Sequence, residues 1–90
     1  MTTTLTFANQ TGLFSTTPGS YGVMSAAGMF GPQCRMNVFF RQSSSGQWAG
    51  IDQFRGVFSE SIQFPGTHLK FELWQPLNIT QVAVDVTAAP

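Results

Sequence analysis

Ninety residues make one domain, and nine phenylalanines and two tryptophans give it a core, since each buried aromatic removes about 150–250 Å² from water. Charged side chains are 9% of the chain and their formal sum is zero, against roughly 25% in an average soluble domain, so there is no basic stripe for nucleic acid or an anionic membrane surface. No apolar run approaches the ~18 residues of a membrane-spanning helix, the Met-Thr-Thr-Thr start carries no basic or apolar signal region, and one cysteine excludes an internal disulfide or a thiolate metal cage.

Thr4 to Phe7 alternates polar and apolar residues, and Asn9-Gln10-Thr11-Gly12 supplies turn chemistry. Residues 13–20 hold Ser, Thr, Pro18 and Gly19 and read as a loop or an extended arm. The first eighteen residues are therefore expected to form an N-terminal strand or an arm, with the sandwich proper over 19–90. Tyr21 to Phe30 is a strand that Gly31-Pro32 ends. Cys34, Met36, Val38 and Phe40 then share one parity, and Arg35, Asn37, Phe39 and Arg41 the other. This period of two is the pattern of a half-buried strand.

Ser43-Ser44-Ser45-Gly46 predicts a turn, followed by a short strand from Trp48 to Ile51 with an irregularity at Gly50. Phe58, Ile62 and Phe64 share a parity in the next strand, which stops at Pro65-Gly66. Leu69, Phe71 and Leu73 alternate with His68, Lys70, Glu72 and Trp74, and after Pro76 the residues Val82, Val84 and Val86 alternate with Ala83, Asp85 and Thr87. No segment keeps helical spacing. About seven short strands, punctuated by Gly and Pro, predict an all-β fold, a single small antiparallel β-sandwich or barrel.

Residues able to do chemistry are sparse. One His and one Cys, with four separated acids, leave no ligand set for a transition metal or calcium, and the glycines punctuate strands rather than opening a phosphate-binding helix. A Ser–His–Asp set can be written from Ser59 or Ser61, His68 and Asp85, and a carboxylate pair from Glu60 and Glu72. No local signature accompanies either. The chain is expected to be non-enzymatic and to need no cofactor. Cys34 reads as a small buried hydrophobe, with an intermolecular disulfide as the alternative. Asn9-Gln10-Thr11 and Asn78-Ile79-Thr80 match the glycosylation acceptor pattern and fall in predicted turns.

Aromatics on the outward parity are more informative. If Met36, Val38 and Phe40 face the core, Phe39 points outward between Arg35 and Arg41. If Leu69, Phe71 and Leu73 do, Trp74 shares the outer face with Lys70 and Glu72. Exposed Phe and Trp mark a contact surface unless both faces of the sheet are covered. Candidate protein-contact residues are Leu5, Phe7, Phe14, Phe39, Arg41 and Trp74. Trp48 follows a turn and reads as a core cap. In a sugar-binding alternative, a cytosolic β-sandwich lectin, Trp48 and Trp74 would be the stacking residues.

The order of elements carries a resemblance. Tyr21-Gly22-Val23 leads to Gly28-Met29-Phe30-Gly31, then to the alternating strand Cys34–Phe40 and to Ser44-Ser45-Gly46-Gln47-Trp48. A strand closing on Phe64-Pro65-Gly66-Thr67 and the final strands Leu69–Leu73 and Val82–Val86 complete it. In this the chain resembles small virion proteins of tailed bacteriophages, β-sandwich subunits that decorate or cement capsids or form minor parts of heads and tails. The polar run Ser59-Glu60-Ser61 and the Pro32-Gln33 pair depart from the pattern. The resemblance implies a structural protein of the virion, assembled in the host cytoplasm. It would bind the major capsid protein or another virion protein and form a homo-oligomer; that no nucleic acid or membrane is a partner is expected from the neutral charge and the scattered basic residues. No site residue carries over from it.

Overall fold

The computed structural model describes residues 2–89. Among them are eight strands: β1 (Thr2–Thr6), β2 (Thr11–Ser15), β3 (Tyr21–Met29), β4 (Arg35–Arg41), β5 (Ala49–Phe54), β6 (Phe58–Gln63), β7 (His68–Trp74) and β8 (Gln81–Ala88). They form two antiparallel four-stranded sheets, ordered β1-β8-β3-β6 and β2-β7-β4-β5. Of the expected sandwich or barrel, the fold is the small β-sandwich, with eight strands where about seven were expected. The added strand is β2, which occupies residues expected to be a turn and a loop or arm.

The layers follow from parity. Val82, Val84 and Val86 of β8 and Met24 and Ala26 of β3 project from the first sheet. Met36 and Val38 of β4 and Leu69, Phe71 and Leu73 of β7 project from the second, and all are buried together. Each buried Val, Leu or Phe contributes about 1.5–3 kcal/mol of transfer free energy. Phe14 and Phe71 meet edge to face, with ring centres 5.4 Å apart at 88°, a geometry adding about 0.5–1.5 kcal/mol. Phe54 and Phe58 stack at 3.7 Å and join the end of β5 to the start of β6.

Two expected contact residues belong to this core instead. Leu5 is 0% and Phe14 is 2% exposed. β1 and β2 lie in different sheets, and each turns its apolar side chain into the space between them. Neither residue is available to a partner. Phe7 lies just beyond β1, where the chain reverses through a hydrogen bond from the Asn9 amide to the Thr6 carbonyl, and it is exposed.

Thr80 is the one buried polar residue among those described. Its hydroxyl donates to the Phe30 carbonyl at 2.7 Å and accepts from the Leu77 amide at 2.9 Å. The turn carrying Asn78-Ile79-Thr80 is thereby tied to the end of β3. Cys34 is also buried, as a small hydrophobe.

Candidate functional site, the outer face of the second sheet

Strand pairing arranges the outward residues of β2, β7, β4 and β5 in rows. Arg35 faces Trp74, Asn37 faces Glu72, Phe39 faces Lys70 and Arg41 faces His68 across the β4–β7 pair. On the flank, β2 places Thr11 opposite Glu72, Leu13 opposite Lys70 and Ser15 opposite His68. On the far side Gln53 faces Asn37, and the two amide side chains bond at 2.7 Å.

Between Val38 and Phe39 the β4–β5 register shifts, pairing Asp52 with Val38 and Gly50 with Phe39 and leaving Ile51 as the extra residue. The irregularity expected at Gly50 is this bulge. Gly50 presents no side chain, and the Phe39 ring lies beside it. The extra residue reverses the parity of the positions before it, so Trp48, just before β5, falls on the outer face beside Arg41.

Aromatic rings and cations interleave here. The Lys70 ammonium lies 4.8 Å from the centre of the Phe39 ring and 4.7 Å from that of Trp48. The Arg41 guanidinium lies 4.5 Å from the Trp48 ring centre, and that of Arg35 lies 5.2 Å from the Trp74 ring centre. All are within the ~6 Å over which a ring's negative face attracts a cation. Three of the four basic side chains of the chain thus gather on one face.

Arg41 Nε is buried and has no hydrogen-bond partner among the described residues. The attraction to the ring beside the guanidinium offsets part of what that unmade bond costs. The backbone of Arg41 is held from the other side, since its carbonyl accepts from the Thr67 amide at 3.0 Å. The turn at Gly66 packs against the same carbonyl so closely that a Cβ would clash with it.

Phe39, Arg41 and Trp74 therefore stand on one outer face, as their parity implied, with Trp74 43% exposed. Trp48 is half-buried on this face between two cations rather than capping the core. The two tryptophans do not meet: Trp74 pairs with Arg35 and Trp48 sits at Arg41. Six residues of strand separate those positions, about 20 Å. Leu13, 55% exposed on β2, belongs to the face and was missed. Its signal was faint because its inward neighbour, Gly12, has no side chain to mark the alternation.

The other candidate constellations do not converge. His68 lies on the second sheet, its Nδ1 2.9 Å from the Thr67 hydroxyl. Ser59, Ser61 and Asp85 lie on outward positions of the first sheet, with the core between them and His68. Glu60 on β6 and Glu72 on β7 are likewise in different sheets. Asp85 instead accepts hydrogen bonds from Thr2 and Thr87, at 2.7 and 2.8 Å, and these hold its carboxyl below the usual aspartate value. A shallow groove at one end of the sandwich, beside Ser15, Thr16, Ser20 and Phe64, offers hydroxyls and no titratable group.

No protein-family model, curated protein or solved structure matches the chain.

Proposed function

We propose that this chain is a non-enzymatic assembly subunit, a structural component of a bacteriophage particle that attaches to the shell or another virion protein through the outer face of β4 and β7. The observation that carries the reading is the grouping of Phe39, Trp48 and Trp74 with Arg35, Arg41 and Lys70 on a single sheet face. Trp and Arg are the residues most enriched where a few side chains dominate binding energy. A face held in place by its own cation–aromatic contacts loses little side-chain entropy when a partner covers it.

Composition and the order of elements support the same reading. A chain with 9% charged residues and no net charge lacks the charge that keeps a free monomer dispersed at high concentration. Burial against a shell adds directly to the stability of a small domain. The resemblance in element order supplies the class of partner, a capsid or tail protein assembled in the host cytoplasm.

Mass spectrometry of purified particles tests this. The chain is expected at a fixed ratio to the major shell protein and retained through washing in high salt. Its absence from every particle preparation would remove the reading.

A further inference from the structure

We infer that the open edge of β2 is a self-association edge, on which a second copy of this chain pairs its own β2 antiparallel. The two second sheets would then form one continuous eight-stranded surface.

The four edge strands are not alike. β6 carries Glu60, and β5 carries Asp52 with a bulge against β4 and Arg55 just beyond its end. Charge and bulges are the usual means of blocking unwanted strand pairing. The opposite side of the sandwich, formed by β1 and β2, has neither. The first charged side chain of the chain is Arg35. Both β1 and β2 are free of proline, and both keep an unbroken register with their inner neighbours.

β2 lies at the end of its sheet, and among the described residues only β7 pairs with it. Every second residue of Thr11–Ser15 therefore directs its amide and carbonyl away from β7, toward the open edge. An antiparallel pair of identical strands is self-complementary, so one edge suffices for a two-fold dimer.

Side chains choose β2 over β1. The outward residues of β1 are Thr2, Thr4 and Thr6, all hydroxyls, and those of Thr2 and Thr6 are already bonded within the chain, to Asp85 and to the Asn9 amide. β2 has Leu13 at its centre, 55% exposed. Pairing centred there sets Leu13 against its copy, with Thr11 opposite Ser15 at both ends. Apolar pairs directly across strands stabilise, and like charges there destabilise. The nearest charged side chain in the same row is Lys70. Across β7, β2 and the copies of both, two such lysines would stand about 14 Å apart, beyond the ~8 Å screening length at physiological salt.

The inference rests on the strand edge and not on the assembly role above. A monomer would overturn it and leave the particle experiment unaffected. A five-residue edge buries little area, so the association is a modest one.

Light scattering on the purified full chain at about 100 μM, which populates any dimer of about micromolar affinity, should report a dimer. Leu13→Lys should be a monomer with an unchanged far-UV spectrum, because the side chain is outside the core. Thr4→Lys on the other edge should remain a dimer. Leu13→Cys should cross-link to its copy under mild oxidation, as a cross-strand pair lies within disulfide reach. The parent chain should not, because Cys34 is buried. A monomeric parent chain, a dimeric Leu13→Lys, a Thr4→Lys monomer or a Leu13→Cys dimer that does not cross-link would each overturn the proposal.

Discussion

Lys70 faces Phe39 directly across the β4–β7 pair, and its ammonium lies 4.8 Å from the centre of that ring. The same ammonium lies 4.7 Å from the ring of Trp48, which the Arg41 guanidinium also approaches. One lysine therefore ties a strand residue to the loop side chain beside it. Lys70→Met keeps the apolar stem and removes the charge. It should cost about 1 kcal/mol, roughly what two partly exposed cation–aromatic contacts contribute. The urea midpoint should fall with an unchanged slope.

Gly66 holds the far end of the same face. A Cβ there would strike the Arg41 carbonyl, which is backbone and cannot swing aside. Gly66→Ala should destabilise the fold by about 1–3 kcal/mol and displace Arg41 from Trp48. Thermal unfolding reads the first effect. The second should appear as a change in Trp48 fluorescence in a Trp74→Phe background.

Asp85 makes the first sheet acid-sensitive. Hydrogen bonds from Thr2 and Thr87 lower its carboxyl below the ordinary value of 3.8. The unfolded chain consequently binds more protons between the two values, and stability rises with pH across that window. The contribution is complete above the ordinary aspartate range and is lost as pH falls through the lowered value. Urea midpoints measured along an acid titration should fall less steeply for Asp85→Asn than for the parent. A parallel decline in both would contradict the assignment.

Cys34 should be chemically silent in the folded chain. It is 2% exposed, and burial pushes its thiol above the usual cysteine range. Labelling by a thiol reagent should therefore be limited by opening of the fold. It should accelerate in urea in step with the loss of β signal.

The strands with an apolar residue at every second position were legible in the sequence. β4, β7 and β8 fall within one or two residues of their expected limits, because Met36, Val38, Leu69, Phe71, Leu73 and the three valines all report the same face. β2 was not legible, since its inward positions are Gly12 and Phe14 and a glycine next to Asn9-Gln10-Thr11 looks like a turn. The true reversal lies earlier, at residues 7–10. Leu5 and Phe14 were expected at a contact surface because the first eighteen residues looked separable from the sandwich. Long-range pairing with β8 and β7 decides otherwise. Phe39, Arg41 and Trp74 were legible as a face from parity alone. Trp48 was not, since its place depends on the bulge beside Gly50 and on cations from two other strands.

The measurement that bears most directly on the account is particle occupancy of face-specific variants, read by quantitative mass spectrometry. Phe39→Ala combined with Trp74→Ala should fold and yet fall at least about tenfold in occupancy, since each such anchor is worth about 1–2 kcal/mol or more. Tyr21→Ala, a large exposed aromatic on the first sheet, should be incorporated like the parent. Equal occupancy for all three chains, or a loss specific to Tyr21→Ala, would contradict the assignment of the contact face to β4 and β7.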